Sequence, residues 1–194
     1  RYLAQELKIS RADQDAYALL SQQRAAASWK SGAFKKEVFE IPAEGKNSSL
    51  FSDEHRRDDT TLESLAKLPP VFDPKNGSVT AGNSSGITDG SSFVHVSSEK
   101  HAWAQAEILD FEFTALDTRR MGLGPVSAVT NLLKRNHLSI QDIEAVELNE
   151  AFAAQVLACN LELKIPMEKL NARGGSIAIG HPIGATGARI ITTL

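Results

Sequence analysis

A chain of 194 residues with 42% hydrophobic and 23% charged side chains has the composition of a globular protein and not of a disordered one. Its formal net charge of −3 supplies no basic field for nucleic acid, and no apolar run approaches the roughly 20 residues that a membrane-spanning helix needs. The single cysteine, Cys159, excludes an internal disulfide and fits a reducing compartment, so a cytoplasmic location is expected.

The chain opens on Arg1 with no signal-peptide pattern and ends inside the apolar run Ile190-Ile191-Thr192-Thr193-Leu194. A terminus inside what reads as a core helix predicts a piece of a longer protein. Ser10-Arg11-Ala12-Asp13 has the form of a capping box and opens a predicted helix that runs to about Ser31, with Gly32 as its C-terminal cap. Val38 to Pro42 is a candidate short strand, and the polar stretch 43–60 reads as surface loop. Thr61 to Ala66 forms a predicted helical turn stopped by Pro69-Pro70, and the Gly- and Ser-rich run 77–90 predicts turns.

Phe93-Val94-His95-Val96 is strand-like, and Leu109, Phe111 and Phe113 alternate with Asp110 and Glu112 as a half-buried strand would. Pro125 sits where a helix would begin, with Val126, Val129 and Leu133 on one side. Val146-Glu147-Leu148 reads as a strand, and the following helix carries the apolar stripe Phe152, Val156, Cys159 and Leu163. Ile177-Ala178-Ile179 reads as a further buried strand, with a helix beginning near Gly184. This alternation predicts an α/β layered domain.

Chemistry concentrates in two segments, Asn149-Glu150-Ala151-Phe152-Ala153 and Gly174 to Arg189. Pro182 biases His181 toward an extended backbone, which holds its ring off the end of the preceding element. A histidine there either moves a proton and donates to a developing oxyanion or is an incidental residue at a glycine-rich junction. Asn149, on spacing alone, is an N-cap; the sharper alternative is an amide that orients a water or a substrate oxygen. Cys159 lies on the apolar stripe without an adjacent base and reads as core. The other histidines lack metal-ligand spacing, so no metal site is expected, and no G-x-G-x-x-G or G-K-[ST] pattern is present.

N-E-A-F-A-A-Q (149–155) and G-G-S-I-A-I-G-H-P-I-G-A-T-G-A-R (174–189) strongly resemble the signature segments of thiolases, the acetyl-CoA C-acyltransferases. Residues 10–38, 80–90 and 121–125 resemble thiolase sequence in the same order. The resemblance implies a layered αβα fold of two similar domains with an inserted loop domain. On that plan 1–86 is part of the loop domain, 87–105 returns to the N-terminal domain, and 106–194 is most of the C-terminal domain.

It further implies that His181 acts directly, and Asn149 through a held water, in an oxyanion hole, with His181 also activating a nucleophilic cysteine. Arg57, Ser64 and Ser85 match coenzyme A contacts, Arg57 near the adenine end and Ser85 near the pantetheine arm. Met121, Ala151 and Phe152 match the lining of the acyl and pantetheine pocket. Acyl-CoA and coenzyme A are the implied partners, coenzyme A as substrate with no separate cofactor, and the implied assembly is a homodimer or homotetramer. The alternative is a non-catalytic acyl-CoA or lipid carrier on the same scaffold. Two departures stand out: neither of the family's catalytic cysteines has a counterpart here, Cys159 being in the wrong segment, and Pro69 stands where the family often has Arg.

Overall fold

In the computed structural model, which describes residues 2–42 and 49–194, a short helix α1 (Tyr2–Glu6) leads to Ser10, where the longest helix begins. The Ser10 hydroxyl accepts the Asp13 N–H at 3.1 Å, and the Asp13 carboxylate accepts the Ser10 N–H at 2.8 Å. This reciprocal cap fixes the start of α2 (Arg11–Ser31), and Gly32, at φ 77°, ends it in the left-handed conformation that a glycine adopts without strain. Both boundaries match the sequence reading.

Helix α2 buries an unusual face. Gln14, Ala18, Ser21, Ala25 and Ser28 recur at helical spacing and are all buried, so this face is built of small and polar groups. Gly174, at φ 82°, lies against this face, and a Cβ there would meet the Ser21 carbonyl and Ala25. The helix can therefore approach the 174–179 segment closely. At its N-terminal end the Arg11 guanidinium donates to the carbonyls of Leu65 and Leu68 at 2.7 and 3.0 Å, tying α2 to the C-terminal end of α3 (Leu62–Ala66). Its opposite end is tied by Arg24, which donates to the carbonyls of Leu170 and Met167.

Helix α4 (Gly124–Arg135) starts with Pro125 in its first turn, as Pro permits. Helix α5 (Ala153–Leu163) buries Val156, Cys159 and Leu163, whereas Phe152 is its N-cap and half exposed. The core joins Tyr17 and Ala18 of α2, Leu65 of α3, Val156 and Leu163 of α5, and Leu170 and Ile177, with Val126 and Val129 of α4 packed at its margin. Two short helices, α6 (Ser176–Ile179) and α7 (Thr186–Thr193), complete the chain.

The expected strands need correction. Among the described residues no β-ladder forms; three isolated bridges occur, Ile41 to Leu50, Ser84 to Phe152, and a parallel one from Val146 to Leu170. The candidate strand 38–42 is reduced to the first of these. At Val146 the pairing is extended by a side chain, since Asn171 accepts the Leu148 N–H at 2.7 Å and donates to the Leu148 carbonyl at 2.8 Å. Segments 93–96 and 109–113 form no β-bridge, and Phe93, Leu109 and Phe113 are more than four-fifths exposed. Residues 177–179 are helical, because the Ile177 N–H is taken by a buried carboxylate and not by a strand neighbour. Of the expected loop 43–60, residues 43–48 lie outside the described residues.

Candidate active site

His181 stands where α6 has just ended. Gly180, at φ 97°, makes that turn, and a Cβ on it would collide with Thr88. The turn presents the His181 N–H to the Gly86 carbonyl at 3.0 Å. One residue earlier, the N–H and hydroxyl of Ser85 both donate to the Ala151 carbonyl, at 3.1 and 3.2 Å. Segment 84–86 is thus stitched on one side to His181 and on the other to the Asn149–Phe152 turn. Within this junction Asn149 Nδ2 lies 3.3 Å from His181 Nε2. Two residues far apart in sequence therefore form one polar pair.

Asn149 is not the N-cap that its spacing suggests. Helix α5 is capped at Phe152 with no side-chain bond, and the Asn149 amide instead accepts from the Ser176 hydroxyl at 2.7 Å. His181 is held at its other nitrogen, Nδ1 lying 2.7 Å from Thr186 Oγ1, and Thr186 in turn donates to the Pro182 carbonyl at 2.9 Å. Arg189 Nη2 donates to Ser176 Oγ at 3.2 Å, and Nη1 is 3.6 Å from the Glu147 carboxylate. Burial first, and then the positive charge of Arg189, lower the imidazole pKa below its ordinary value of 6.5. A neutral ring in this position can accept a proton at neutral pH, and once charged it can donate to an oxygen that becomes anionic.

Behind the pair sits Glu150, fully buried. Its carboxylate accepts from Tyr17 Oη at 2.8 Å, Ser21 Oγ at 2.7 Å, Asn171 Nδ2 at 2.9 Å and the Ile177 N–H at 3.1 Å. Gly175 makes room for it, since a Cβ there would overlap the carboxyl group. Burial and the neighbouring Glu150 charge raise the Tyr17 pKa well above its ordinary value. Glu147 is affected similarly, its carboxyl pushed up to about 7 mainly by burial and against the opposing pull of Arg189.

The remaining candidates divide into two groups. Ser85, Ala151 and Phe152 belong to the junction, and Phe152 meets Phe72 edge-on at 6.4 Å between ring centres. Ser64 is exposed at the start of α3, where its hydroxyl accepts the Thr61 N–H at 3.0 Å and donates to the Thr61 carbonyl at 2.8 Å. Arg57 is exposed, with its N–H on Gln22 Oε1 at 2.9 Å, and it flanks an open recess of about 520 Å³ lined by Trp29, Lys30, Arg56 and Asp58. Met121 lies exposed on the 3-10 turn Thr118–Leu123. Cys159 is core: its thiol donates to the Gly122 carbonyl at 3.1 Å, and burial pushes its pKa up to about 11. Among the described residues no cluster of three metal-ligating side chains occurs, and no helix is long and apolar enough to cross a membrane.

Sequence reasoning missed Ser176, Thr186, Arg189 and Glu147. Thr186 and Arg189 stand at i and i+3 on α7 and so share a face. That spacing was readable, but its target was not.

Helices α2, α5 and α6 gathered on one core, and a histidine–amide pair at the turn after α6, define a polar site at a loop junction. Residues 1–100 match the family description "Thiolase, N-terminal domain", and residues 102–194 match "Thiolase, C-terminal domain". The chain belongs to the thiolase family. It is 47% identical over 200 residues to a beta-ketoadipyl-CoA thiolase of Pseudomonas knackmussii, covering 98% of this chain and 50% of that protein. It is 46% identical over 199 residues to a mitochondrial 3-ketoacyl-CoA thiolase of Pongo abelii, covering 99% and 50%. Among solved structures, human mitochondrial 3-ketoacyl-CoA thiolase in complex with CoA superposes with a TM-score of 0.87 at 39% identity, covering 100% of this chain and 49% of that one. The Bacillus anthracis acetyl-CoA acetyltransferase gives 0.89 at 38%, covering 100% and 50%. The fold is thus an incomplete thiolase-like α/β fold, and the chain spans about half the length of the curated relatives it matches.

Proposed function

We propose that the protein carrying this chain is an acyltransferase of the thiolase type, cleaving a 3-oxoacyl-CoA with coenzyme A or condensing acetyl-CoA units through an acyl-cysteine intermediate. The observation that carries the reading is the Asn149–His181 pair, set 3.3 Å apart at the junction with Ser85 and Gly86. His181, neutral at neutral pH, takes the proton of an attacking thiol. The resulting imidazolium and the Asn149 amide, directly or through a water, then face the negative charge that develops on the thioester or ketone oxygen.

In the cleavage direction the thiolate bonds to the C3 carbonyl carbon. The C2–C3 bond breaks, and its electron pair leaves as the enolate of acetyl-CoA, which is protonated at C2. Coenzyme A thiol then displaces the acyl group from sulfur. Cys159 does not supply that nucleophile, being buried in the core with a raised pKa. The thiol belongs to residues outside these 194, and the 194-residue chain alone is expected to show no turnover.

The recess beside Arg57, with an arginine over the Trp29 ring at 5.6 Å, suits the adenine end of coenzyme A. Ser85 lies nearer the reacting end, and Ser64, Ala151, Phe152 and Met121 remain proposed contacts along the route. Assembly as a homodimer or homotetramer in a reducing, cytoplasmic setting completes the proposal; one solved relative is described as a dimeric peroxisomal thiolase.

The test is thiolysis of acetoacetyl-CoA by the full-length protein. His181→Ala and Asn149→Ala should each lower kcat by about 10²–10³-fold, the effect of removing an oxyanion donor, with KM changed much less. Turnover within tenfold of wild type in both variants would refute the reading. Acyl-CoA binding without turnover in the wild type would mark a carrier instead.

A further inference from the structure

We infer that Arg189 and Ser176 are positioning residues that set the tautomer of His181, placing its proton on Nδ1 and leaving the Nε2 lone pair as the proton acceptor. The inference deepens the reading above and rests on it for its catalytic meaning. Six groups are linked in a line: Arg189 Nη2 to Ser176 Oγ at 3.2 Å, Ser176 to Asn149 Oδ1 at 2.7 Å, and Asn149 Nδ2 to His181 Nε2 at 3.3 Å. The line continues from His181 Nδ1 to Thr186 Oγ1 at 2.7 Å, and from Thr186 to the Pro182 carbonyl at 2.9 Å.

Its two ends are chemically fixed. A guanidinium has donors and no acceptor, and a backbone carbonyl accepts only. Because Ser176 receives a proton from Arg189, its own single proton has to go onward, to the Asn149 oxygen. That turns the amide nitrogen toward His181, so Nε2 must accept. At the other end Thr186 gives its proton to Pro182 and can only accept from Nδ1–H. Every interior member gives one hydrogen bond and takes one, and the direction of donation runs one way from Arg189 to Pro182.

The opposite tautomer is disfavoured by burial. With the proton on Nε2 the amide must flip, Thr186 must give its proton to Nδ1, and its bond to Pro182 is lost. The Ser176 hydroxyl proton is then stranded at a residue with 0% exposure, where no solvent replaces the missing acceptor. Helix α7 enforces both ends at once, since Thr186 and Arg189 lie on one face of its first turn. The Glu147 carboxyl group lies 3.6 Å from the other guanidinium nitrogen.

Long-range proton–nitrogen NMR spectra of the full-length protein labelled with 15N-histidine, recorded above the His181 titration, read the tautomer directly. His181 is assigned by the signals missing in His181→Gln. Wild type should show a protonated Nδ1 and an unprotonated, pyridine-like Nε2. Ser176→Ala and Arg189→Met should shift both nitrogens toward a mixture of tautomers, whereas Arg189→Lys, which still donates, should keep the wild-type pattern. Backbone amide spectra report whether each variant folds, and Arg189→Met is decisive if Ser176→Ala does not. A wild-type ring protonated at Nε2, or wild-type ring signals in the folded variants, overturns the inference. No acyl-CoA enters the experiment, so failure of the acyltransferase reading leaves this result standing, and the reverse holds equally.

Discussion

Around Glu150 the polar groups are inside and every donor finds its acceptor; around Phe111 the apolar rings are outside and the acids face protein. In the first region one buried carboxylate receives bonds from α2, from Asn171 and from α6, and so ties α2, the turn at Glu150 and the 171–177 stretch together. In the second, Asp110 and Glu112 are bound by Arg135 of α4 at 2.8 and 2.5 Å, while Leu109, Phe111 and Phe113 point to solvent. A buried carboxylate without its donors is very unfavourable, so the Glu150 junction is all-or-none. Exposed ion pairs contribute little, so the second region is held weakly. The histidine–amide pair stands on the first kind of architecture.

The widest separation between the two regions comes from single substitutions. Glu150→Ala leaves the buried Tyr17, Ser21 and Ile177 donors without an acceptor and should lower unfolding stability by more than about 3 kcal/mol in urea titration. Phe113→Ser should change it by no more than about 0.5 kcal/mol, yet reduce self-association and the binding of an apolar dye, since it removes one of the most exposed rings. Equal destabilisation by the two variants would erase the contrast.

A smaller effect tests the rim of the junction through pH. The Glu147 carboxyl is raised from 4.5 to about 7 by burial, so between those values the folded chain holds a proton that the unfolded chain releases. Its contribution is fully present below the lower value and is lost as pH rises through the upper one. Glu147→Gln, which cannot titrate, should flatten that decline by at most about 3 kcal/mol. Thermal midpoints measured across this pH range provide the check, and parallel curves for wild type and variant would contradict it.

Local signals in the sequence carried over well. The Ser10–Asp13 cap, the Gly32 stop and the Pro125 start depend on neighbours a few residues away, and each stands as read. His181 and Asn149 were legible as a pair through their segments. Contacts that cross the chain were not legible. Alternation at 109–113 names an apolar face but not the partner that would cover it, and the buried tripeptide 177–179 fits strand or helix until Glu150 claims its N–H. The capping preference of Asn misassigned residue 149, because Ser176 and His181 occupy the two ends of its amide. Ser176, Thr186 and Arg189 acquire meaning only once α7 folds back over the turn.

The central claim is that Asn149 and His181 together polarise a thioester oxygen. The carbonyl stretch of 13C-labelled acetyl-CoA, measured by infrared difference spectroscopy at saturation, tests this without requiring turnover. Bound to the protein, the band should move to lower frequency than in buffer, and the displacement should disappear in both Asn149→Ala and His181→Ala. A saturated complex whose carbonyl band matches that in buffer, or a displacement that survives both substitutions, would contradict the account.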